Sequence, residues 1–149
     1  MLIIHLIATS VMVGVIWIIQ LVHYPSFHFI ELNQYTTFQR FHMSRISYVV
    51  IPAMLTELFT LILIIISMDQ VEPIILASAL LLIVIWLMTA VFFSGMHQKL
   101  TLGYDQAIVE KLVKLNWGRT LLWTLRLLLV SIYIISVSYT HLTLPTISR

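Results

Sequence analysis

The chain has 149 residues, of which 60% are hydrophobic and only 9% charged, and its mean hydropathy is +1.03. A water-soluble domain of this length has no core large enough for that much apolar surface, so the composition points to an integral membrane protein. The absence of cysteine excludes disulfides, thiolate metal sites and thiol nucleophiles. The 8 basic residues stand against 6 acidic ones beside apolar runs, which suits a lipid bilayer with anionic headgroups rather than nucleic acid.

Four stretches are long enough to span a bilayer, since about 20 helical residues cross its hydrocarbon core. They run from about Leu2 to Val22, Ile46 to Met68, Ile74 to Met96 and Leu115 to Ser136. The sequence thus predicts an all-α fold, an antiparallel bundle of four transmembrane helices forming one integral membrane domain over residues 1–136. The first stretch lacks the basic leader and small-residue cleavage site of a secretory signal. The link Asp69-Gln70-Val71-Glu72-Pro73 predicts a tight turn between the second and third helices, with Pro73 in the first turn of the latter.

Basic loops stay on the cytoplasmic side. The regions around 23–45 and 97–119 carry Arg40, Arg45, Lys99, Lys111, Lys114 and Arg119, whereas the 69–73 turn carries Asp69 and Glu72. Both long loops are therefore expected in the cytoplasm and both termini outside, in a multi-pass protein of the plasma membrane. Tyr104 to Leu115 has two readings, a short interfacial helix or an extension of the fourth helix.

The end of the chain reads differently. Val137 to Thr146, VSYTHLTLPT, resembles a translated sequencing-library adapter, so residues 137–149 are expected to be a non-native tail. The alternative is a natural polar tail, in which His141 and Arg149 would count.

Polar groups inside a bilayer are costly and usually face the bundle interior. In the first helix His5, Thr9, Met12, Ile16, Gln20 and His23 recur every three or four residues, which places them on one inward face. Gly14 offers room there for a neighbouring helix. In the third helix Trp86, Ala90, Phe93 and His97 share a face by the same spacing, and His97 should meet His42 across the tight turn. The predicted topology collects Gln20, His23, His42, Arg45, His97, Asn116 and Arg119 at the basic end as a candidate polar site. Deeper in, Glu57 lies twelve residues past Arg45 and Arg126 eleven past Leu115, both about 16–18 Å from the edge at 1.5 Å per residue. Opposite charges at matched depth predict a buried ion pair, either fixing helix register or relaying a proton or anion. Pro52 should bend the second helix about one turn before Glu57 and open space beside that carboxylate.

His23, His42 and His97 also raise metal or haem ligation, proton transfer, and binding of a polar headgroup or quinone. No His-x-x-x-His or Glu-x-x-His pair supports a ligand set, and His42-Met43-Ser44-Arg45 puts an arginine at the next position on that face. Trp117, Trp123, Tyr24 and Tyr104 are expected in an aromatic belt or in packing. The residues Trp17, Gln20 to Pro25, Phe41-His42, Arg45, Pro52, Met54-Leu55, Glu57-Leu58, Asn116-Trp117 and Arg119-Thr120 together resemble small four-helix bacterial inner-membrane proteins of uncharacterised function. With a proline in the first loop, the layout is also similar to the DUF1772, or anthrone-oxygenase-like, group. That resemblance implies a cofactor-independent oxygenase acting on a flat phenolic compound, and carries no catalytic residue across. Two functions fit these residues: a small-molecule or redox-cofactor site at the basic end, of oxidoreductase or oxygenase type if catalytic, or a structural or accessory membrane subunit without catalytic activity. Either is compatible with a monomer, a homodimer or a membrane protein partner.

Overall fold

The computed structural model describes residues 1–143, with side chains through Tyr139. Arg149 and the side chain of His141 lie outside the described residues. Four helices long and apolar enough to cross a membrane account for nearly all of the described chain: α1 (Leu2–Phe29), α2 (Tyr35–Ile66), α3 (Pro73–Leu100) and α4 (Gln106–Thr143). The four-helix transmembrane fold expected from the sequence is the observed one.

The helices are longer than the apolar stretches. At 1.5 Å per residue the 32 residues of α2 extend about 48 Å, against a hydrocarbon core of about 30 Å. The expected loops at 23–45 and 97–119 shrink to turns around residues 30–34 and 101–105. Hydropathy marks where lipid begins, whereas the helices continue past that level with an inward face of their own. Tyr35, Gln39 and His42 are buried at helical spacing on α2, and Val109, Leu112 and Asn116 on α4. The Tyr104–Leu115 region is accordingly an extension of the fourth helix, not a separate interfacial one. Asp105 caps it, its Oδ1 accepting the Ile108 N–H at 3.1 Å. At the other end Glu72 is extended and Pro73 opens α3, where a missing N–H leaves no helix bond unmade.

Three apolar clusters stack along the bundle axis. Tyr24, Phe27, Tyr35, Phe93, Leu100 and Leu112 fill the basic end. Met12, Ile16, Met54, Ile85 and Trp123 fill the middle, and Leu61, Ile64, Ile75 and Leu82 the end near the 67–72 turn. α1 packs along α2 and α4, and α3 along α4, while α2 and α3 approach each other sparsely. The α2–α3 side is the open seam of the bundle.

Two helices carry a π-helical turn, Ile19–His23 in α1 and Thr89–Phe93 in α3. Each adds a residue to one turn and so rotates the rest of its helix about the axis. The expected stripe on α3 is corrected by this: Ile85, not Trp86, shares the buried face with Phe93 and His97, and Ala90 is exposed. Gly14 is not a point of close approach either, since nothing lies within 4 Å of an added Cβ there. Gly118 is, with the Met88 Cε 3.3 Å away.

Candidate functional site

The inward stripe of α1 divides the polar residues into a deep group and a group at the basic end. In the deep group Arg126 is wholly buried and forms an ion pair with Glu57, also wholly buried, across the bundle between α4 and α2. Its other terminal nitrogen, Nη2, donates to His5 Nε2 at 2.9 Å. An imidazole nitrogen that accepts carries no proton, so the His5 proton sits on Nδ1 and is donated to Thr60 Oγ1 at 2.7 Å. Thr60 in turn donates to the Thr56 carbonyl at 2.6 Å. Trp123 Nε1 donates to the second oxygen of Glu57 at 3.2 Å. Both carboxylate oxygens and both imidazole nitrogens are thus engaged, and Arg126 Nε alone in this group lacks a partner. Pro52 opens no space beside Glu57, because Trp123 and Arg126 fill it.

The residues at the basic end fall into three sets. Gln20 and Asn116 pair with each other, Asn116 Nδ2 donating to Gln20 Oε1 at 2.9 Å and Gln20 Nε2 to the Val113 carbonyl at 3.3 Å, while Asn116 Oδ1 has no partner among the described residues. The histidines gather beside it: the His23 and His42 rings lie 4.0 Å apart and those of His42 and His97 5.9 Å apart. Arg45 stays outside, exposed, with its guanidinium 5.4 Å from the Phe41 ring centre. His97 is held at both ring nitrogens, Nδ1 lying 3.1 Å from the Gln39 side-chain amide and Nε2 3.0 Å from the Tyr24 hydroxyl. Among the described residues no three His, Asp or Glu side chains are arranged to hold a cation, these three imidazoles included.

Arg119 is the unusual member. It is 6% exposed, its guanidinium carbon lies 4.1 Å from the Phe93 ring centre and 5.4 Å from that of Trp123, and it stands beside the Tyr24 hydroxyl. Among the described residues its Nε has no hydrogen-bond partner. Among the described residues no carboxylate pairs with it, the one ion pair there being Glu57 with Arg126.

A cavity of about 240 Å³ opens between α2 and α3 in front of Arg119, with Tyr24, His42, Ser47, Thr89 and His97 also in its wall. Ile51 and Ser94 are exposed at its mouth. Both π-helical turns border it, through Ile19 on α1 and through Thr89 and Phe93 on α3. The Tyr24 hydroxyl in this wall lies 3.0 Å from His97 Nε2 and beside the Arg119 guanidinium. A second groove of about 370 Å³ lies on the other side of α2, lined by His23, Phe41, His42 and Arg45. His42 is a wall of both.

Arg119, His42 and His97 share one cavity, whereas Gln20 and Asn116 do not line it and Arg45 and His23 line the neighbouring groove. The structure adds Tyr24, Gln39, Trp123, His5 and Thr60 to the two groups. Their signal in the sequence is spacing: Tyr24 follows Gln20 by one turn, and Trp123 lies within one turn of both Arg119 and Arg126.

Compared with family models, curated proteins and solved structures, the chain matches none.

Proposed function

We propose that the protein binds a small acidic molecule in the cavity between α2 and α3 at its basic end. The observation that carries this reading is Arg119, a buried guanidinium without a carboxylate partner among the described residues, lining an open cavity. A buried charge normally has a counter-ion from the protein, and one left without is matched by a ligand. The concentration of Arg40, Arg45, Lys99, Lys111 and Lys114 at this end supports a cytoplasmic opening, termini outside, in a bacterial inner membrane.

The test is thermal unfolding in mild detergent with hexanoate or hexylamine added. Hexanoate should raise the midpoint of the wild-type protein and leave Arg119→Met unmoved. Equal responses to the acid and the amine, or an equal response in the variant, would refute the reading.

A second reading belongs to the deep group alone. Its closed set of partners favours a structural part, holding α1, α2 and α4 in register through His5, Glu57 and Arg126.

A further inference from the structure

The open seam does not end at the polar cavity. Further along it, towards the 67–72 turn, lies an apolar groove of about 360 Å³ lined from α2 by Leu58, Leu61 and Ile65 and from α3 by Ala79, Leu82 and Trp86. The two spaces follow one another along the seam. On α3, Leu87 lines the groove and Thr89 the polar cavity. On α2, Ile51 and Leu58 are seven residues, about 10 Å, apart, with Leu55 38% exposed between them.

We infer that the ligand is a single-chain amphiphile with a carboxylate head, of the fatty-acid class, its head on Arg119 and Tyr24 and its chain laid along the α2–α3 groove. This rests on the reading of the polar cavity given above and adds the ligand's class and pose. Charge fixes the head. Among the described residues Arg119 is the one lysine or arginine in the cavity wall. One positive charge balances a carboxylate, whereas a phosphate monoester, with about −1.5 to −2 at pH 7, would leave buried negative charge uncompensated. The planar guanidinium fork also fits the two carboxylate oxygens. The groove fixes the tail: its wall is aliphatic apart from the Trp86 indole, and a single groove takes a single chain. Entry is sideways from the lipid, because the seam faces outward along its length.

The test uses the full chain in discs of zwitterionic lipid, with tryptophan fluorescence quenched by stearate brominated in mid-chain or by its methyl ester. The acid should quench saturably and the ester only in proportion to its amount. Trp86→Phe should remove most of the saturable component, and Arg119→Met should raise the half-saturation concentration at least tenfold. Saturation alike for acid and ester, or none for either, overturns the inference, and this comparison needs no variant. A mid-chain-brominated alkyl phosphate saturating at a tenth of the concentration overturns the carboxylate assignment. Hexanoate separates the two levels. If it stabilises the protein through Arg119 while the brominated acid fails to saturate, the pose along the groove is wrong and the cavity reading stands. If neither acts, the cavity reading falls as well.

Discussion

Separating Glu57 from Arg126 by Glu57→Gln leaves a wholly buried guanidinium without its counter-ion. It also leaves one amide oxygen where two carboxylate oxygens serve Arg126 and Trp123. Removing one partner of such a pair costs about 3–5 kcal/mol. Arg126→Met is expected to cost a similar amount, since Glu57 is left with only the Trp123 N–H at 3.2 Å, and His5 Nε2 loses the donor at 2.9 Å. The double variant has no charge to strand, so its loss should fall well below the sum, with a coupling of at least about 2 kcal/mol, near thirtyfold in the unfolding equilibrium. The assay is a double-mutant cycle on unfolding of the detergent-solubilised protein by increasing SDS fraction, followed by circular dichroism. Losses adding to within about 0.5 kcal/mol would refute the argument, because residues that do not interact behave that way.

Arg119 should behave in the opposite manner. Arg119→Met removes a desolvated charge with no carboxylate partner, and the lost ring contacts, worth about 2 kcal/mol at most, offset that gain, so stability measured the same way should change by less than about 1 kcal/mol. A loss of 3 kcal/mol or more would make Arg119 a structural residue. Asn116→Ala strands Gln20 Oε1, which is 2% exposed as a residue, and should cost about 1–3 kcal/mol. An unchanged midpoint would mean that water serves the Gln20 amide. Gly118→Ala should be neutral or stabilising by up to about 1 kcal/mol, since the only close neighbour of the new Cβ is the flexible end of Met88. A drop in the unfolding midpoint would show that α3 and α4 cannot yield there.

Composition and period carried most of the fold: a chain this apolar has four stretches that must cross lipid, and the stripe from His5 to Gln20 had to face inward. The ion pair was legible from matched depth, because a charge in hydrocarbon strongly favours a partner. What the sequence hid has two physical sources. Hydropathy reports the solvent around a helix, not its ends, so Tyr35 to Arg45 read as a loop although Tyr35, Gln39 and His42 keep helical spacing. The π-helical turns have no residue signature of their own, and they decide which of Ile85 and Trp86 shares a face with Phe93. The parting of α2 from α3 was hidden as well. It depends on how side chains pack across the whole bundle, and a short turn constrains only the near ends of the two helices.

His42 gives this arrangement a further property. Of the side chains common to the two spaces flanking α2, which are Ile19, His42 and Ile46, it is the one polar group. Shortening that one side chain, as in His42→Ala, would therefore remove wall from both spaces at once.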